Sequence, residues 1–195
     1  MRLPGTRRPC VYFWETGDHK NRGGAALKIS NYGLLIREIL DGFQLDHRGI
    51  HGTAHWMRVR TNGLRLAEMN GANTKVIQLF AIFHDSRRLN DGGDPRHGER
   101  GAALAYEFWQ AGKIDLDDSE FRLLEQACCD HTHGGTQPGD VTVATCWDAD
   151  RLDLERVGIT PDPQYLCTDE AGQPQMLDWA TNRSNVWVDR YCRYW

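Results

Sequence analysis

The stretch Val76-Ile-Gln-Leu-Phe-Ala-Ile-Phe-His-Asp85, continued by Ser86-Arg-Arg88, decides how the chain is read. Its dense apolar run has the length of about three turns of buried helix, and Asn73 or Thr74 can cap its start. The run ends in two adjacent side chains that can bind a metal. Burying a histidine beside an aspartate is costly unless both are paired or bound to a cation. Neighbouring helical side chains diverge by about 100°. One ion can therefore sit between His84 and Asp85 only if other helices supply the remaining ligands.

The chain has 195 residues, enough for one substantial domain with its own core. Hydrophobic residues make up 40% and charged residues 26%, which excludes a disordered chain and a membrane-spanning one. No apolar run reaches transmembrane length, and Pro4, Gly5 and Pro9 interrupt an N-terminus without the apolar core of a signal peptide. A net charge of −4 argues against a nucleic-acid coat but leaves room for a small anionic substrate in a local basic pocket. Cys10, Cys128, Cys129, Cys146, Cys167 and Cys192 form no C-x-x-C pair, so a zinc ribbon is not expected. Reduced thiols and a cytoplasmic location are the expectation.

Outward from the central helix, the pattern is helical throughout. Residues 1–31 read as an N-terminal extension, with Val11-Tyr-Phe-Trp14 as a short strand (one of a strand pair) or an apolar clip, and 32–195 as a single helical domain. Helices are expected from Tyr32 to Phe43 and from about Thr53 to Met69, where His55, Val59, Asn62 and Leu66 share a face and Gly63 allows a close crossing. Leu89 to Gly98, rich in Asn, Asp, Gly and Pro, reads as a loop. Further helices are expected from Ala102 to Gly112, from about Asp118 to Asp130 with Phe121, Leu124, Ala127 and Cys128 inward, from about Val141 to Val157, and from Met176 to Tyr191 with Trp179 and Trp187 near its inner side.

Four of these helices bring histidine or aspartate to or near a buried face: His55, then His84-Asp85, then His131 or His133, then Asp148 or Asp150. Imidazole and carboxylate without thiolate suit a divalent transition metal (manganese, iron, nickel, cobalt or zinc) or magnesium. Asp148 and Asp150 lie about 200° apart on a helix, so both cannot face one ion. Asp150 falls on the apolar line of Val143, Cys146, Leu154 and Val157. Asp148 falls on the mixed line of Ala144, Arg151 and Glu155, so Asp150 is preferred.

The order H…HD…D resembles the HD superfamily of metal-dependent phosphohydrolases over about residues 47–160. It is carried by His55 with Trp56-Met-Arg-Val59, by the His84-Asp85 pair after its apolar helix, and by Ala149-Asp-Arg-Leu152. The resemblance implies an all-α bundle around a central metal site, one or two ions, and His55, His84, Asp85 and Asp150 as metal ligands. His97 follows the HD helix where many members place a histidine near the leaving group or a second metal. His131 is preferred over His133 as the inward residue.

Arg88, with Arg87 in reserve and Arg96 nearby, would hold phosphate oxygens through a planar fork. His97 or His131 would protonate the leaving oxygen. His51, four residues before His55, is a candidate substrate contact, whereas Trp147, Trp109 and Phe108 are assigned to the core. The expected activity is hydrolysis of a nucleotide or other small phosphorylated metabolite, with no membrane partner, nucleic acid disfavoured and a homodimer allowed. The rival readings are a di-iron oxygenase like the inositol oxygenases of this fold, and a non-catalytic metal-bearing scaffold or sensor.

Overall fold

A computed structural model describes residues 32–191, with side chains through Ser184. Its α-helices are α1 (Tyr32–Leu40), α2 (Thr53–Asn70), α3 (Thr74–Phe83), α4 (His97–Gln110), α5 (Asp118–Asp130), α6 (Val141–Arg151) and α7 (Pro174–Tyr191). There is no strand among the described residues. The expected N-terminal strand or clip and the Trp187 side chain lie outside them. No helix among the described residues is long and apolar enough to cross a membrane.

Helix α3 is the axis of the bundle. Asn73 caps it by accepting from Lys75 N and Val76 N. Val76, Ile77, Phe80, Ala81, Ile82 and Phe83 are all fully buried, so beyond its first turn the helix is apolar nearly all round, with Gln78 the polar exception. That pattern suits a helix enclosed by others, and α3 packs against α2, α4, α5 and α6. On α2, His55, Val59, Asn62 and Leu66 do share the buried face. A Cβ at Gly63 would stand 2.5 Å from Ile77 Cγ2 and 3.3 Å from Ala149 Cβ, so the glycine is what lets α2 lie against both α3 and α6. Trp109, Phe108 and Trp147 are core residues, as expected.

Four helix ends differ from the sequence expectation, and three of the differences shape the site. Helix α1 stops at Leu40 instead of Phe43. Helix α3 stops at Phe83, and the chain turns through 84–87 instead of continuing toward Arg88. Helix α4 begins at His97, inside the segment whose composition reads as a loop. Helix α6 stops at Arg151, and a 3₁₀ helix, Leu154–Val157, replaces its last turn. There the backbone tightens: Asp153 N donates to Asp150 O and Arg156 N to Asp153 O. Such three-residue steps stack side chains at i and i+3, so Asp150, Asp153 and Arg156 come to one side.

The start of α4 is held close by glycines that carry no hydrophobic signal. A Cβ at Gly98 would lie 2.1 Å from Cys128 O, and one at Gly101 would lie 2.2 Å from Phe83 O. The helix thus touches the ends of α5 and α3 backbone to backbone, with His97 at the junction. Gly101→Ala gains roughly 1 kcal/mol of helix propensity, but the carbonyl it meets is main chain and cannot turn aside. We expect a net loss of about 1–3 kcal/mol in chemical denaturation. A net gain would show that α4 does not make this approach in solution.

Candidate metal centre

Buried histidines and aspartates meet where α2, α3, α4, α5 and α6 converge. His55 is fully buried on α2, His84 caps α3, Asp85 opens the following turn, and Asp150 comes from the last turn of α6. His55 Nε2 lies 3.1 Å from His84 Nε2, 3.3 Å from Asp150 Oδ1 and 3.5 Å from Asp85 Oδ2. His84 Nε2 lies 3.5 Å from Asp85 Oδ2 and 3.9 Å from Asp150 Oδ1. A second group adjoins the first: Asp85 Oδ1 lies 3.2 Å from His97 Nε2 and 3.9 Å from His131 Nε2, and those two nitrogens are 2.7 Å apart. Asp85 therefore faces both groups, one oxygen to each.

The tautomers follow from the partners on the other ring nitrogen. His55 Nδ1 donates to Asp153 Oδ2 at 2.7 Å, His84 Nδ1 to Phe80 O, His97 Nδ1 to Asp94 O, and His131 Nδ1 to Cys128 O. Each partner is an acceptor only, so each Nδ1 carries hydrogen and each Nε2 offers a lone pair. Four lone pairs and two carboxylates thus point at one another, an arrangement that only positive charge among them can relieve. His/Asp groups of this kind can hold a metal ion. Two donor spacings of the first group, 3.1 and 3.3 Å, fall in the ~3.0–3.4 Å expected between neighbouring ligands with bonds near 2.1 Å, and the other three are longer. Asp150 Oδ1 is buried and accepts no hydrogen bond among the described residues, which is the signature of a ligand atom.

The electrostatics point the same way. Burial and then Arg156 oppose a proton on His55, but Asp150, Asp153 and Asp85 outweigh them and raise its pKa to about 9. Three carboxylates thus favour positive charge at this point. Burial lowers His84 to about 4 against the pull of Asp85 and Asp150. Burial also lowers His97 and His131, helped by His131 at His97 and by His84 at His131. Burial opposes ionisation of Asp85 and Asp150 too, but the neighbouring imidazoles prevail and hold both well below the usual carboxylate range. Asp85 and Asp150 are thus ionised and His84, His97 and His131 neutral, the forms that bind metals, whereas His55 would give up a proton to an ion bound there.

The structure places the other sequence candidates unevenly. Arg88 reaches the second group by the turn after α3 and not by a continuing helix. Its Nη1 stands 3.1 Å from both Asp85 Oδ1 and His97 Nε2, while Nε and Nη2 donate to Asn90 O and Gly92 O. All three of its nitrogens therefore already have partners in the protein. Arg87 turns the other way and donates to Ile39 O and Ser86 O, so it ties down the end of α1 and is not at the cluster. Arg96 is exposed and pairs with Glu99, also away from the cluster. His51 is buried, pairs with Asp91 at 2.8 Å and lies edge-on to His55. His131 is buried and His133 exposed.

Asp148 corrects the expectation of a solvent-like position. It is fully buried and accepts from Cys167 N, Thr168 N and Thr168 Oγ1, so it anchors the 166–168 segment on α6. Burial raises its pKa despite those bonds.

Two important residues escaped the sequence reading. Asp153, fully buried, orients His55 and also accepts from Arg58 Nε and Nη2 and from Ser184 Oγ of α7. Arg58 lies three residues after His55 and shares its helix face, which was the available signal. Arg156 approaches Asp150 Oδ1 with its Nη2 at 4.0 Å. The expected α-helix through Val157 would have turned it roughly 240° away from Asp150, which is why the spacing did not reveal it.

No protein-family model matches the sequence, and no curated protein does. Among solved structures, the chain is similar to a predicted HD superfamily hydrolase from an uncultured Thermotogales bacterium. The TM-score is 0.59 and the identity 22%, over 84% of this chain and 92% of that one. The likeness establishes the fold: an all-α, HD-domain-like bundle.

Partners that orient a metal-binding histidine typically contribute 10–100-fold to affinity. Asp153→Asn keeps an acceptor near His55 but removes the charge shared by His55 and Arg58. We expect ion affinity, measured by competition with a chelator, to fall by about 10–100-fold. Unchanged affinity would show that Asp153 serves packing alone.

Proposed function

We propose, on the premise of an HD-domain fold with a converging His/Asp donor set, that this chain is a metal-dependent hydrolase of small phosphorylated molecules, nucleotides included. The observation that carries the proposal is the convergence of His55, His84, Asp85 and Asp150: the two Nε2 atoms lie 3.1 Å apart and 3.3–3.9 Å from carboxylate oxygens of the two aspartates. These four residues would hold a divalent ion. When bound, such an ion supplies a water of lowered pKa and polarises a phosphoryl oxygen. Hydrolysis then adds the water oxygen to phosphorus, breaks the bridging P–O bond and leaves a proton for the departing oxygen.

The protein's own contribution is orientation and charge. Asp153 fixes the His55 ring, Phe80 O fixes His84, and the near-complete burial of both rings keeps bulk water from competing. The site opens on the Asp150 side, where that side chain is 18% exposed while His55 and His84 are fully buried. His51 and Asp91 stand beside it, placing His51 as a candidate contact for the substrate. His97 and His131, with Asp85 Oδ1, form a donor set for a second ion. Arg88 Nη1 already donates to two of those atoms, so the first set is the stronger site. These tautomers reverse the general-acid role expected of His97 or His131: with one ion bound, the unprotonated Nε2 of His131 would accept a proton and not protonate the leaving oxygen.

The second donor set also supports a di-iron oxygenase reading. Metal analysis separates the two, because two irons with oxygen uptake would favour the oxygenase.

Three measurements test the proposal. Metal-loaded protein should release inorganic phosphate from members of a panel of phosphorylated metabolites, and chelation should abolish this. His84→Ala and Asp85→Ala should each lose the ion and lower the melting temperature, because metal binding free energy is partly folding free energy. Full metal content in either variant would refute the assigned quartet, and a metal-loaded protein inert on the whole panel would refute the activity.

A further inference from the structure

We infer that Arg156 is the residue that binds the anionic group of the substrate, in place of Arg88, Arg87 and Arg96. This rests on the phosphohydrolase reading above and names the recognition element of that same site. The Arg156 side chain is 8% exposed. Its Nε donates to Ile50 O at 2.9 Å and its Nη1 to Asp153 O at 3.1 Å. Two main-chain carbonyls therefore fix the plane of the guanidinium. Nη2 has no hydrogen-bond partner among the described residues, and it lies 4.0 Å from Asp150 Oδ1, beyond hydrogen-bonding distance. Nη2 is thus held only by a long ion pair with Asp150, the most exposed member of the first donor group.

The rival arginines lack this combination. Arg88 spends its nitrogens on Asp85, His97 and two loop carbonyls, so an incoming anion would have to displace them. Its role is to position Asp85 and His97. Arg87 and Arg96 point elsewhere. A guanidinium held like that of Arg156 meets a phosphoryl oxygen with little further loss of side-chain freedom. The chemistry selects an oxyanion that would meet Nη2 beside the donor group, which suits a terminal phosphate.

The test uses the full chain at saturating, measured metal content, with inorganic phosphate as the probe and titration calorimetry as the readout. Arg156→Gln removes the charge but can still donate to Ile50 O. It should keep its metal and weaken phosphate binding about tenfold or more, the range for one charged hydrogen bond. Arg156→Lys should recover part of the loss, because it restores charge without the fork. Wild-type phosphate affinity in Arg156→Gln would overturn the assignment while leaving the phosphohydrolase reading intact. Loss of metal in Arg156→Gln would overturn it by making the arginine a support for the ligands. If Arg156→Gln does not fold, Arg156→Lys decides alone: weaker phosphate binding at full metal content supports the assignment, and unchanged binding overturns it. A wild-type protein that carries its ion, binds no phosphate and is inert on the metabolite panel would overturn both the assignment and the reading beneath it.

Discussion

Acceptors that face each other out of water are the constraint on which this structure depends. Two imidazole nitrogens stand 3.1 Å apart, another pair 2.7 Å apart, and the carboxylate of Asp85 lies between the pairs. In a medium of low polarity such groups repel strongly unless positive charge sits among them. Each comes from a different part of the chain: α2, the end of α3, the start of α4, the end of α5 and the end of α6. The packing of the bundle and the electrostatics of its centre are therefore one problem, and a cation that solves the second also holds the first together.

The protein meets that constraint by controlling backbone distance as much as side-chain identity. Gly63 lets α2 lie on α3 and α6, and Gly98 and Gly101 bring α4 onto the carbonyls of Cys128 and Phe83. The Cys128 carbonyl is also the acceptor that orients His131. The glycines that draw the helices together thus sit beside the groups that aim the imidazoles. Asp94 does similar work for the loop before α4, accepting from Leu89 N and Arg100 and offering its carbonyl to His97.

Much of this was legible in the sequence where hydrophobic period and polar residue fell on one helix. The run from Val76 to Phe83 and the face of His55, Asn62 and Leu66 follow from spacing alone. What was hidden depended on departures from α-helical geometry or on contacts distant in sequence. His97 looked like a loop residue because Asn, Asp, Gly and Pro precede it, yet it opens α4 and is buried against Asp85, Arg88 and His131. Asp148 sat on a mixed line of the helix but is covered by a segment about twenty residues later. Arg88 turns inward through a bend that period analysis cannot foresee. Arg156 was invisible because the α6 register gives way to three-residue steps just before it.

The bond from Ser184 Oγ to Asp153 Oδ1 gives α7 a place in the chemistry of the centre without touching it. Asp153 is shared: one oxygen takes Ser184, the other takes His55, and Arg58 bonds both. Docking of the final helix and retention of the ion are thereby linked equilibria, and thermodynamic linkage works in both directions. An ion that tightens His55 against Asp153 favours the seated helix, and a seated helix favours the ion. A peripheral element far along the chain thus becomes a governor of occupancy at the core.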